Sequence, residues 1–166
     1  NPVNDAPQGT ADSYAATEGT LTVLGNVLSN DTDIDSLPAS FVAAQFAAST
    51  TDPVATVNGV SSITTAMGGT VIMRADGTFD YVAPARDHDD ATADADSFVY
   101  KLSDGSALSD WITVSLDVTD SVPTANPDDD SVGIGGTITG NVITGTGGAP
   151  GGADALGADT TLIRGV

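Results

Sequence analysis

The chain has no cysteine and few basic residues, with 4 Lys and Arg together and 1 His among 166 residues. Without Cys there is no disulfide, no thiolate nucleophile and no cysteine-based zinc site. The formal net charge of −19 disfavours nucleic acid as a partner, because phosphate backbones would be repelled. An anionic membrane surface would be repelled as well. The sequence also lacks an apolar run of about 18 residues, so we expect no membrane insertion.

The acidic residues are almost all Asp, since Glu18 is the only Glu among 23 acids. Asp competes for nearby backbone N–H groups and favours turns over helices, and 19 Gly and 8 Pro indicate the same loop-rich chain. High charge and few aromatics are typical of disorder. A hydrophobic content of 40% with clear alternation argues for folded strands instead. We therefore expect an all-β protein whose fold is marginal until its Asp clusters are neutralised.

The clearest local pattern is a β-hairpin over residues 70–82. Two alternating segments flank Asp76-Gly77, and an Asp-Gly pair is a strong hairpin signal because Gly accepts positive φ at no steric cost. Residues 97–102 and 111–119 alternate in the same way. Residues 41–47 suit either a strand or a short helix. Further strand candidates are residues 11–17, 20–28, 54–60 and 62–65, and residues 86–94 are expected to form an acidic loop. Seven or eight short strands drawn from these candidates predict a β-sandwich.

An internal repeat sets the expected domain boundaries. The blocks ADSY, GTLT and GNVL at residues 11–14, 19–22 and 25–28 return as DDSV, GTIT and GNVI at residues 129–132, 136–139 and 140–143. The offsets are 118, 117 and 115 residues. We therefore expect one complete repeat over residues 1–120 and only the first two or three strands of a second over residues 121–166.

Two or three strands cannot bury a sandwich core alone, and three interpretations of residues 121–166 stay open. They belong to a longer array of repeats, they are completed by strands from a neighbouring chain through β-augmentation, or they pack on their own first domain. The start at Asn1, with neither Met nor a signal peptide, is what we expect of a fragment or a processed product.

Several motifs of one known family follow one another along the first repeat. They are NDAP at residues 4–7, NVLSNDTD at 26–33, GTV at 69–71, DGTFDYVAP at 76–84 and DSFVYKLSDG at 96–105. With them the chain resembles the cadherin-like and VCBS-type tandem repeats of giant bacterial surface proteins and RTX adhesins. The resemblance implies an Ig-like (cadherin-like) β-sandwich, calcium at or near repeat boundaries, and an extracellular, cell-surface role. The second linker, DSVP at residues 120–123, lacks the Asn-Asp pair of the first.

One acidic segment has the residue types and spacing of a calcium site. Calcium takes roughly six to eight oxygen ligands from carboxylates, carbonyls and water. Asp31, Asp33 and Asp35 alternate along the chain, so their carboxylates would converge if the backbone forms a loop. The spacing matches the start of an EF-hand loop, but Ser36 and Val42 stand where that loop needs Gly and Glu. The segment is therefore a candidate calcium site that is not an EF-hand.

The resemblance adds candidates at the domain boundaries. It implies linker ligands from Asn4 and Asp5 and an end-of-strand carboxylate from Glu18. Further candidate calcium ligands are Asp94, Asp96, Asp117 and Asp120. The competing interpretation is that these Asp residues cap turns and keep the surface soluble. The loop around His88 is expected to be solvated, because no second His or Cys could share a transition metal with it.

The sequence argues against an enzyme, since one His and no Cys leave only a Ser-His-Asp triad and no Gly-x-Ser-x-Gly elbow is present. We expect a calcium-stabilised structural or adhesive extender that stiffens a repetitive extracellular rod through contacts with neighbouring repeats or with copies of itself. One alternative is a self-assembling filament subunit in which residues 121–166 complement a neighbour. Another is a carbohydrate-binding accessory module of a secreted enzyme, with a glycan ligand. The aromatic residues that a glycan could use are Trp111, Tyr14, Tyr81 and Tyr100, of which the last two are expected in the core.

Overall fold

The computed structural model describes residues 3–85, 94–127, 131–145 and 153–155. The chain divides into two compact units, one with residues 1–85 and 90–119 and one with residues 86–89 and 120–166. The strands of the first unit are β1 (Asp12–Thr17), β2 (Leu21–Asn26), β3 (Val42–Ala47), β4 (Ala55–Thr56), β5 (Val60–Thr64), β6 (Thr70–Arg74), β7 (Thr78–Val82), β8 (Asp94–Ser103) and β9 (Ile112–Thr119). A short 3-10 helix, Pro38–Ser40, precedes β3. No helix in the described part of the chain is long and apolar enough to cross a membrane.

The strands form the two sheets of a sandwich. One sheet has the order β1-β9-β8-β3-β4 and the other the order β2-β7-β6-β5. Strand β1 runs parallel to β9, from Asp12 opposite Val114 to Thr17 opposite Thr119. The other strand pairs are antiparallel. The parallel pair brings the starts of β1 and β9 to one end of the sandwich and their last residues to the opposite end.

Alternating apolar residues from both sheets form the core between them. Strand β9 alternates strictly, with every second side chain from Ile112 to Val118 buried. Phe79 makes edge-to-face ring contacts with Tyr14 and Phe98, at centroid distances of 5.0 and 5.3 Å. The fully buried apolar side chains include Phe46, Val71, Met73, Phe79, Tyr81, Phe98, Tyr100, Leu102, Val114 and Leu116. The alternating apolar residues of β6, β7, β8 and β9 therefore face inward as their pattern predicts, whereas Leu21 at the start of β2 is 60% exposed.

The predicted sandwich is confirmed, with differences in detail. The hairpin of β6 and β7 has the predicted bounds and turn, and residues 42–47 form a strand rather than a helix. Strand β8 begins at Asp94, earlier than the alternation starts, so Asp94 and Asp96 are strand residues rather than loop residues. All of the predicted acidic loop except its last residue, that is residues 86–93, lies outside the described residues.

The second unit has little regular structure among its described residues. In residues 120–127, 131–145 and 153–155 there is an antiparallel bridge between Thr124 and Ala155 but no strand. Part of the predicted second repeat, at residues 128–130, 146–152 and 156–166, lies outside the described residues. The division into a complete and a partial repeat at residue 120 stays a prediction.

Candidate functional site

The candidate ligands in the first unit divide between the two ends of the sandwich. One end, here called the linker end, holds residues 3–11 and the loop 27–37 that follows β2. The other end, the far end, lies where β1 and β9 finish and where β8 begins. Asn4, Asp5, Asp31, Asp33 and Asp35 lie at the linker end, and Glu18, Asp94 and Asp96 lie at the far end. The separation follows from the parallel register of β1 and β9.

At the linker end, the loop after β2 holds the segment that enters β1. Gln8 and Thr32 exchange backbone hydrogen bonds of 2.8 and 2.9 Å. The Thr10 N–H donates to Asp31 Oδ1 at 2.8 Å, and Asp31 is only 3% exposed. We call this arrangement the Asp31 clasp. It ties the N-terminal segment to the domain through backbone pairing and one buried carboxylate.

The second oxygen of Asp31 belongs to a buried polar cluster. The Tyr100 hydroxyl lies 2.7 Å from the Val27 carbonyl oxygen, 2.9 Å from Asp31 Oδ2 and 3.4 Å from Asp12 Oδ2. A hydroxyl has one hydrogen to donate, so three acceptors compete for it. Asn30 Nδ2 also donates to Asp12 Oδ1, at 3.2 Å. The cluster therefore brings two carboxylates together without a cationic side chain among these partners.

Burial and mutual repulsion change the acidity of this cluster. Burial, followed by the negative charge of Asp31, raises the pKa of Asp12 from 3.8 to about 6. Burial also raises the pKa of Asp31, against the opposing hydrogen bonds from Thr10 and Tyr100. The pKa of the Tyr100 hydroxyl is raised as well, first by burial and then by the charge of Asp31. At neutral pH the folded protein holds these negative charges at a cost.

The carboxylates of Asp31, Asp33 and Asp35 do not converge, although their spacing allowed it. Asp31 is turned toward Tyr100, as described above. Asp33 Oδ1 accepts the Ile34 N–H at 2.7 Å, and Asp35 Oδ2 accepts the Asp5 N–H at 3.1 Å. Within the described residues, no group of three or more carboxylate or imidazole side chains is placed to hold a metal ion.

One atom of this loop fits a cation. Asp33 Oδ2 is buried and has no hydrogen-bond partner, and a buried carboxylate oxygen without a partner is costly. Asp33 lines a cavity of about 410 Å³ whose walls also include Asp5, Ala6, Gln8, Thr32 and Ile34. Carboxylate, carbonyl and amide oxygens are the ligands that calcium prefers. Asp33 and Asp5, with oxygens of Gln8 and Thr32, are the residues that would hold the ion.

A further carboxylate at the linker end, Asp104, was missing from the sequence-based candidates. Asn4 Nδ2 donates to Asp104 Oδ2 at 2.8 Å, and Asp104 Oδ1 accepts the N–H groups of Ala107 and Ser106 at 2.7 and 2.6 Å. The Ala107 bond, then the Asn4 bond, lowers the pKa of Asp104. The Asp-Gly turn at residues 104–105 was the available signal, but nothing local connects it to Asn4.

At the far end, Glu18 is fully buried just after β1. Its N–H donates to the Thr119 carbonyl at 3.1 Å, and the Gly19 N–H donates to the Ala83 carbonyl at 3.2 Å. The turn after β1 is therefore anchored to both sheets. Glu18 lies where β1 and β9 finish, and its role as a calcium ligand stays a prediction.

The remaining Asp candidates have different surroundings. Asp96 is 5% exposed, and its carboxylate accepts hydrogen bonds from the hydroxyls of Thr65 and Tyr81 and from the Ser97 N–H. These donors satisfy Asp96 without a metal. Asp94 is partly buried at the start of β8, and Asp117 lies on the exposed face of β9. Asp120 directly follows β9 and belongs to the second unit.

The aromatic residues that a glycan could use are mostly engaged within the protein. Tyr81 and Tyr100 are fully buried, as the alternation predicts, and Tyr14 packs its edge against Phe79. Lys101 Nζ lies 5.1 Å from the Trp111 ring centroid, a cation–π arrangement that covers one face of the ring.

This sandwich, with a parallel β1–β9 pair and acidic residues at both ends, is a cadherin-like domain of Ig type. The sequence model of the bacterial cadherin-like domain matches residues 4–120, which confirms the resemblance. The chain belongs to this family. No curated protein matches the sequence. Cadherin-like domains are structural or adhesive modules that are typically extracellular and generally bind calcium.

Proposed function

We propose that the domain of residues 4–120 is a calcium-stabilised extender of a bacterial extracellular surface protein. The observation that carries this proposal is Asp33 Oδ2, a buried carboxylate oxygen without a partner beside the linker-end cavity. A calcium ion there would satisfy this oxygen and neutralise part of the surrounding negative charge. Asp33 and Asp5 supply the charged ligands, and carbonyl oxygens and water complete the shell.

The position of this cavity supports a role in stiffening. Two of its lining residues, Asp5 and Ala6, precede the clasped Gln8 in the N-terminal segment, and two others, Thr32 and Asp33, belong to the loop after β2. Ligands from both segments would hold them together more firmly than the two Gln8–Thr32 hydrogen bonds alone. Glu18 and Asp94 place acidic groups at the opposite end, where a following repeat would begin. A row of such domains would therefore stiffen on binding calcium.

Calorimetric titration with calcium tests the proposal at Asp33. The wild-type chain should bind calcium with a Kd of about 10⁻⁴–10⁻³ M, as extracellular modules often do. Asp33→Asn should weaken binding by about tenfold or more, because a charged ligand is lost. Asp52→Asn is the matched control, since Asp52 lies in an exposed turn where its side chain accepts a hydrogen bond from Ser49. Equal affinities in the three proteins, or no binding to the wild type, would contradict the proposal.

One observation favours a second candidate, a filament subunit completed by strands of another chain. Val142 matches Val27 in the repeated GNV block, but Val142 is 56% exposed whereas Val27 is fully buried. A neighbouring chain that added strands to the second unit would cover Val142. Sedimentation across a concentration series tests this candidate. Concentration-dependent oligomers that Val142→Asp abolishes would support it, and a monomer at all concentrations would refute it.

A further inference from the structure

The second unit repeats the hydrogen bonds of the Asp31 clasp with different residues. In the first unit, the Asp31 N–H donates to the Leu28 carbonyl at 3.4 Å, and the Leu28 N–H donates to Asn26 Oδ1 at 2.8 Å. These bonds define the turn that leads from β2 to the clasp. The clasp itself consists of the Gln8–Thr32 pairing and the Thr10–Asp31 bond described above.

The corresponding hydrogen bonds of the second unit involve Asn141, Ile143 and Asp154. The Ile143 N–H donates to Asn141 Oδ1 at 2.9 Å. The Asp154 N–H donates to the Ile143 carbonyl, also at 2.9 Å. Asn141 and Ile143 each lie 115 residues after Asn26 and Leu28. Asn141 and Ile143, which make these bonds, are therefore the residues that the sequence repeat pairs with Asn26 and Leu28.

The clasp bonds correspond as well. Thr124 and Ala155 exchange backbone hydrogen bonds of 2.8 and 2.9 Å, as Gln8 and Thr32 do. The Asn126 N–H donates to Asp154 Oδ1 at 2.7 Å, as the Thr10 N–H does to Asp31. The bridging residues Gln8 and Thr124 each directly follow a proline. The amides that donate to the carboxylates, those of Thr10 and Asn126, lie two residues further along the chain.

We propose that Asp154 is the counterpart of Asp31 and clasps the second linker onto its own unit. The linker residues Thr124 and Asn126 lie 116 residues after their counterparts, but Asp154 lies 123 residues after Asp31. Because Ile143 lies only 115 residues after its counterpart Leu28, the second unit has eight additional residues between Ile143 and Asp154. The stretch 144–153 contains five glycines. This insertion hides the correspondence when the sequence repeat is aligned without a gap.

The proposal deepens the proposed extender function and rests on it for its significance. A clasp after each linker proline fixes the start of each repeat to its own body, so bending between repeats is confined to the residues that precede the clasp. The first clasp is the stronger, because Asp31 is also held by Tyr100. Asp154 is only partly buried, and Asn126 Nδ2 adds a bond to the Ala153 carbonyl at 2.7 Å.

Amide exchange measured by NMR in the presence of a chelator tests the second clasp. In Asp154→Ala, the Asn126 amide should exchange about tenfold faster or more, because its acceptor is removed. Asp154→Asn retains an acceptor oxygen and should preserve protection, and Asp52→Ala should leave Asn126 unchanged. An unchanged Asn126 rate in Asp154→Ala would overturn the proposal, as would equal losses in the Ala and Asn variants.

A deletion tests the correspondence itself. Removing residues 145–152 joins Thr144 to Ala153 and restores the spacing that separates Leu28 from Asp31. We expect the Asn126 and Ala155 amides to keep their protection in this variant. Loss of both would show that the insertion is part of the fold and that the two clasps are not equivalent. Because these exchange measurements contain no calcium, their outcome is independent of the calorimetric test. Loss of protection at the Asn126 and Ala155 amides would refute the second clasp alone, and absence of calcium binding would refute the calcium site alone.

Discussion

Replacing Asp12 by Asn should stabilise the domain at neutral pH, although it removes hydrogen-bonding capacity from a buried cluster. Burial and the nearby Asp31 charge raise the pKa of Asp12 from 3.8 to about 6, so the folded state binds a proton more tightly than the unfolded state does. The stability that Asp12 contributes is therefore fully present below its unfolded pKa of 3.8, and it is lost as pH rises through the folded pKa of about 6. A rise of this size corresponds to about 3 kcal/mol at neutral pH, and partial exposure of Asp12 reduces it to about 1–2 kcal/mol.

Urea unfolding from pH 4 to pH 8, with chelator present, measures this effect. Asp12→Asn should exceed the wild type by about 1–2 kcal/mol at pH 7.5 and match it near pH 4, where Asp12 is protonated. Asp76→Asn is a control of opposite sign, because hydrogen bonds from Thr78 lower the pKa of exposed Asp76. Asp76 stabilises the fold above its unfolded pKa, and this contribution is lost as pH falls. A destabilised Asp12→Asn at pH 7.5 would refute the reasoning about the buried carboxylates.

Two further predictions concern the packing that supports the site. Tyr100→Phe should cost about 1–3 kcal/mol in urea unfolding, since it removes the one buried hydroxyl hydrogen that the Val27 carbonyl, Asp31 and Asp12 share; no loss would contradict the cluster. Gly77→Ala should cost about 3 kcal/mol, because φ is +83° and a Cβ would lie 2.5 Å from both Asn26 Oδ1 and Leu28 Cγ. Gly105→Ala, with φ at +97° and open space around it, should cost only about 1 kcal/mol; equal losses would show that the contacts at Gly77 do not matter.

The sandwich was predictable where sequence patterns are local. The Asp-Gly turn sets the β6–β7 hairpin, and strict alternation identifies the buried face of β9. The start of β8 was not predictable in this way, because Asp94 and Asp96 look like loop residues. Asp96 belongs in the core since Tyr81, 15 residues earlier in the chain, and Thr65 donate hydrogen bonds to it.

The candidate site was predictable in residue type but not in geometry. Spacing alone suggested that Asp31, Asp33 and Asp35 converge, but Asp31 is turned inward by Tyr100, 69 residues later. The partner of Asn4, Asp104, is 100 residues away, and no local pattern connects the two. Likewise, the correspondence of Asp154 with Asp31 rests on equivalent hydrogen bonds on either side of an insertion and not on identical residues at aligned positions.

The most direct test of the account is a thermal melt of the wild-type chain in calcium and in chelator, with magnesium at equal concentration as a control for charge screening. With a Kd of about 10⁻⁴–10⁻³ M, about 5 mM calcium should stabilise the fold by about 1–2 kcal/mol. For a domain of this size, that raises Tm by about 4–10 °C, whereas magnesium should have a much smaller effect because it demands stricter geometry. Equal Tm values in calcium, magnesium and chelator would contradict calcium-linked stability, and equal increases with both ions would attribute the effect to screening of the net charge of −19.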